Sequence, residues 1–116
     1  MRRESDTDFY FDVQDVGTFR FGRRTYGDRL KIRAEFLRLV REFGEGDDEL
    51  AAHAVILAAH KVLCVDAPAG WADLESIDLI DRPDAEDGIF AIYAALREKE
   101  DSFRRQPNQG SETAGA

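Results

Sequence analysis

The chain has 116 residues, 43% hydrophobic and 34% charged, with a formal net charge of −8. That length suits one domain able to bury most of the surface its unfolded form exposes. No apolar run approaches the roughly 18–20 residues that span a bilayer. The charged start Met1-Arg2-Arg3-Glu4-Ser5-Asp6 is followed by no secretory h-region, and a lone Cys64 excludes an internal disulfide, so a cytoplasmic protein is expected.

The charge is unevenly spread. Residues 1–43 hold ten Lys/Arg against eight Asp/Glu, and residues 44–116 hold six against sixteen. Within 66–87 there are eight acids and one base, Arg82. Such a field repels nucleic-acid phosphate and anionic membrane and suits a basic protein surface, so neither nucleic acid nor membrane is expected as a partner.

Residues 1–7 are polar and expected to be a flexible N-terminus, ahead of a single α+β domain over 8–104. Phe9, Phe11 and Val13 alternate with Tyr10 and Asp12, and Phe19 and Phe21 alternate with Thr18 and Arg20, the period of half-buried strands. Gln14-Asp15-Val16-Gly17 offers the residues of a tight connection, so 8–23 reads as a β-hairpin. Two strands alone are marginal in water, so their aromatic face must cover helices of this chain or another subunit.

Thr25, with Asp28 three residues on, reads as a capping box opening a helix that stops at Gly44 and Gly46. This helix has two apolar stripes. One holds Leu30, Ala34 and Leu37; the other holds Ile32, Phe36, Leu39 and Phe43, with Val40 between. Together they exceed the ~100° stripe a surface helix needs, so one face could pack inward and leave the second for the hairpin or another molecule.

Asp47 caps a second helix, about 48–65, that is apolar nearly all round and therefore central. Pro68 and Gly70 break the chain, and the acidic segment 72–83 is expected to be irregular, pinned by its aliphatics. Asp84 caps a third helix, about 85–104, with Ile89, Ile92, Tyr93, Leu96 and Phe103 at helical spacing. Residues 106–116 are too polar to order alone, so a disordered tail is expected over 105–116.

Candidate chemistry is sparse. His53 and His60, seven apart, share a helix face, but the ~10.5 Å rise between them is too long for one metal ion. The acidic run 73–87 contains no start point for an EF-hand loop and reads as solvated surface. Cys64 reads as a buried small hydrophobe. The basic cluster of Arg20, Arg23, Arg24, Arg29, Lys31 and Arg33 suits ion pairing with the acidic stretch of the same or a neighbouring chain. Trp71 fits a core plug between the second and third helices, the favoured reading, or an anchor for a partner. No phosphate-binding or nucleophile-elbow motif is present, and no catalytic residue, metal or cofactor is expected.

The Val16-Gly17-Thr18-Phe19 turn with the following Phe21-Gly22-Arg23-Arg24-Thr25, the run Leu63-Cys64-Val65-Asp66-Ala67-Pro68-Ala69-Gly70-Trp71, and the closing run Tyr93–Arg104 come in one order. In that order they resemble the tail assembly chaperones of long-tailed bacteriophages and prophages, over roughly 9–104. The resemblance implies a non-enzymatic protein that binds the long helical tape measure protein, keeps it soluble, and promotes polymerisation of tail tube protein around it. The alternative is a structural minor tail or tail-completion protein of the virion; a small hydrolase using the acidic segment with His53 or His60 is a distant third.

Capture of an apolar helix needs exposed apolar surface, which a free subunit must tolerate or cover by self-association. The residues expected to supply it are Phe9, Phe11, Phe19, Phe21, Phe36, Leu39 and Phe43, and self-association through some of them is expected.

Overall fold

The computed structural model describes the backbone of residues 1–115 and the side chains of residues 1–104; where a disordered tail was expected over 105–116, the closing helix is continued to Gly115. The fold is α+β: a β-hairpin, two helices, a short third strand and a long closing helix.

Strands β1 (Phe9–Val13) and β2 (Gly17–Phe21) pair antiparallel, with Phe11 opposite Phe19 and Phe9 opposite Phe21. The turn between them places Asp15 at φ 67° and Gly17 at φ 138°. The positive φ at Gly17 strains any residue with a Cβ, and such a Cβ would also stand 2.7 Å from Pro68 Cγ. The glycine thus lets the Pro68 loop close over the hairpin end.

Helix α1 (Tyr26–Phe43) opens with the expected capping box: Thr25 Oγ1 accepts from the Asp28 N–H, and the Asp28 carboxylate accepts from the Thr25 N–H. Helix α2 (Asp48–Leu63) is capped by Asp47, whose carboxylate accepts from the N–H groups of Glu49 and Leu50. It ends two residues earlier than its composition implies. Cys64 leaves the helix at extended backbone angles and begins strand β3 (Cys64–Asp66), which adds to the hairpin antiparallel beside β2. The sheet order is β1-β2-β3, and the Gly22 N–H continues the pairing to the Leu63 carbonyl.

After a single 3-10 turn (Leu74–Ser76) and a loop, α3 (Ala85–Gly115) runs back over β1, with side chains described through Arg104. The aromatic face of the sheet meets α2 and α3. Phe9 packs edge-on to Phe103, and Phe19 and Phe21 pack on His60, over Leu63, Ile92 and Leu96. Between the hairpin's two alternatives, the helices of this chain are what it covers. α2 is central, as expected, with α1 packed on its other side.

The first seven residues are tied down at two points. The Arg2 guanidinium donates to Asp28 at 2.8 Å and to the Val62 and Arg23 carbonyls, lying so close over Gly22 that a Cβ there would collide with it. Asp8 accepts from the Ser5 N–H and pairs with Arg20 at 3.0 Å.

Candidate protein-docking surface

The seven residues expected to meet a partner divide sharply. Phe9, Phe11, Phe19, Phe21 and Leu39 lie in the chain's own core, with Phe19 and Phe21 fully enclosed. This corrects the expectation of an exposed aromatic ribbon. α2 and α3 supply enough apolar surface to cover the sheet within one subunit, and Leu39 faces α2. Phe36 is half-buried with the Arg33 guanidinium over its ring, and only Phe43 stays open, at 55% exposure.

The free surface of α1 is therefore the other stripe. Because α2 takes the Ile32–Leu39 side, Tyr26 (72% exposed), Leu30 (55% exposed) and Ala34 face outward, with half-buried Leu37 beside them. These positions follow the i, i+4, i+8, i+11 spacing of one helix face. Arg29, Arg33 and Arg41 border the stripe, and none makes an ion pair among the described residues. An apolar strip with unneutralised guanidinium groups beside it suits an amphipathic helix carrying acids next to its apolar face. The sequence contained both stripes; the clue to the outward one is the arginine at three of its bordering positions.

Two other members of the basic cluster, Arg20 and Arg24, are paired within the chain. Arg24 makes a two-pronged contact with Glu100, both distances 3.2 Å, and Arg20 pairs with Asp8 and Glu4. The acidic partner of Arg24 thus lies on α3 instead of the 66–87 stretch. Arg38 does reach that stretch, standing 3.7 Å from Glu75 as well as pairing with Glu35. Glu35 is held below the usual carboxylate range by its hydrogen bonds from Arg38 and Lys61.

The other candidates lie around a half-open cleft of about 540 Å³ lined by His60, Cys64, Lys61 and Asp73 among others. His60 is 3% exposed. Its Nε2 lies 2.9 Å from the Trp71 carbonyl, and that contact requires an Nε2–H donor, so Nδ1 is the bare nitrogen. Burial pushes its pKa down and keeps the ring neutral. Burial also pushes the Cys64 thiol up to about 12, helped by the Asp66 carboxylate, so the sulfur is a weak donor to the Asp66 carbonyl and not a thiolate nucleophile. His53 stands apart, against Phe90 and 3.6 Å from Glu86. Among the described residues no three His, Cys, Asp or Glu side chains converge as a metal ion would require.

Trp71 is a core plug. Its ring lies against Gly88 at the start of α3 and under Arg82, and its N–H closes a turn onto the Pro68 carbonyl. No helix of the described residues is long and apolar enough to cross a membrane. No protein-family model, curated protein or solved structure matches the chain.

Proposed function

We propose that this chain is a non-enzymatic docking module that captures an amphipathic helix. Taking the resemblance with it, we read the chain as a phage tail assembly chaperone that acts on the tape measure protein in the host cytoplasm and promotes tail tube assembly. The observation that carries the docking reading is the outward stripe of Tyr26, Leu30 and Leu37 on α1, bordered by Arg29, Arg33 and Arg41. Two large side chains more than half exposed on one helix face, with no core role, are what helix capture needs. The resemblance supplies the identity of the client; the geometry supports the mode of binding.

The test is co-expression with a tape measure protein of a long-tailed phage, scoring the soluble fraction of that client. Wild type should raise it, and Leu30→Glu should cut the gain at least about fivefold, since truncating or charging a central contact removes most of its share of binding. Equal rescue by wild type and variant would reject the α1 face. Recovery of the chain in purified particles at a fixed ratio to tube subunits would replace the chaperone by the virion-component reading.

A further inference from the structure

A second apolar surface lies at the acidic end of the molecule. Ile80 is 90% exposed and its neighbour Leu79 66%, at the tip of the loop between the 3-10 turn and α3. The tip is held in shape. The Asp78 carboxylate accepts from the Ile80 N–H at 2.8 Å, and the Arg82 N–H donates to the Asp78 carbonyl at 2.9 Å. The Arg82 side chain donates to the Ala69 carbonyl at 3.2 Å and caps the Trp71 ring. A loop fastened at both ends thus points two adjacent aliphatics at solvent. Asp78, Asp81 and Asp84 surround them, and none of the three pairs with a base among the described residues.

The outward face of α1 is its complement: an apolar strip bordered by three arginines, against an apolar tip bordered by three aspartates. We propose that the Asp78–Arg82 tip of one copy docks on the α1 face of a second copy, so that free subunits shelter their client-binding stripe until a client helix displaces the tip. Self-docking stands on this complementarity alone; the displacement step rests on the function proposed above. Both surfaces are exposed within one chain, so the contact is made between copies. A two-fold contact of α1 with α1 would set Arg29, Arg33 and Arg41 against their own mates, which like-charge repulsion disfavours. Tip-on-helix contact joins unlike surfaces, leaves one of each open on every dimer, and propagates into a ring or a row.

Sedimentation velocity on wild type, Leu30→Glu and a Leu79→Ser/Ile80→Ser double variant tests this. The mass of wild type should rise with concentration, and high salt should weaken the association roughly tenfold by screening the arginine–aspartate borders. Each variant alone should remain monomeric. Mixed in equal amounts they should form a dimer and stop there, because Leu30→Glu keeps its tip and the double variant keeps its α1 face.

A wild type that is monomeric at every concentration overturns the proposal, as does a mixture that stays monomeric or a double variant that still associates. Should either variant fail to fold by circular dichroism, Arg33→Glu and Asp81→Lys replace them, leaving the apolar groups intact; each alone should weaken association and the two combined in one chain should restore it. Oligomers that persist unchanged in the presence of the client would reject the capture reading while leaving self-docking in place.

Discussion

At position 60 an imidazole is enclosed by Phe19, Phe21 and the Trp71 carbonyl and kept neutral by burial, with the hydrogen bond to that carbonyl and the Asp73 carboxylate drawing it the other way. Its folded pKa lies below the unfolded value near 6.5, so the unfolded chain takes up the proton first. The stability this ring contributes is complete above about pH 6.5 and is lost as pH falls through and below that value. Urea denaturation should show stability falling by up to about 1.4 kcal/mol per pH unit in this range, and His60→Gln should flatten the slope. An unchanged slope in the variant would assign the pH dependence to other groups.

Asp28 behaves in the opposite sense. Burial alone would raise its pKa, but hydrogen bonds from Arg2 and Thr25 outweigh burial and hold it below the ordinary value of 3.8. Its contribution is therefore present above that pH and lost in stronger acid. Arg2→Met strands this carboxylate and should cost about 2–3 kcal/mol in chemical denaturation, at the lower end for a buried pair because Arg2 is partly solvated. Arg2→Met combined with Asp28→Asn should cost clearly less than the sum of the two single changes.

At the scale of elements, two glycines fix how the loops meet the hairpin and α3. A Cβ at Gly88 would stand 2.6 Å from the Trp71 ring. Alanine is the better helix former by about 1 kcal/mol, yet overpacking a rigid indole costs about 1–3 kcal/mol, so Gly88→Ala should destabilise on balance. A thermal melt at or above the wild-type midpoint would show that the ring yields.

Most of the element plan was legible in the chain because its signals are local. Alternating phenylalanines wrote the hairpin, and Thr25 with Asp28, and Asp47, wrote the starts of α1 and α2. β3 was not legible: three residues show no period, and Cys64-Val65 continues an apolar helix without interruption. The choice between the α1 stripes was equally hidden, since both repeat at helical spacing and only the tertiary position of α2 decides which turns inward. That ambiguity put Leu39 among the expected contact residues, while the four hairpin phenylalanines were misassigned because nothing local in the sequence shows that α2 and α3 cover the sheet.

At the scale of the whole molecule, the residues that carry the family resemblance turn out to hold the fold together. Gly17 admits Pro68, Gly70 lies under Arg82, and Trp71 fills the gap against Gly88. Such residues specify the scaffold, whereas α1 and the Asp78–Arg82 tip carry the surface that a partner would read. Folding neutralises part of the charge division through Arg24–Glu100 and Arg38–Glu75, but leaves Arg29, Arg33 and Arg41 on α1 and Asp78, Asp81 and Asp84 at the tip without an ion pair among the described residues. Client association with the α1 face should accordingly slow roughly tenfold as salt shortens the screening length from about 10 Å to a few ångströms, measured by stopped-flow. A rate indifferent to salt would mean that apolar contact alone guides the encounter.

The lone indole has one more consequence. Nature has labelled this chain at a single position, the junction where α2, its following loop and the start of α3 converge, and a guanidinium lies across the label. Intrinsic emission therefore reads that junction without an added dye, and any binding event that shifts Arg82 will announce itself as a change in quenching.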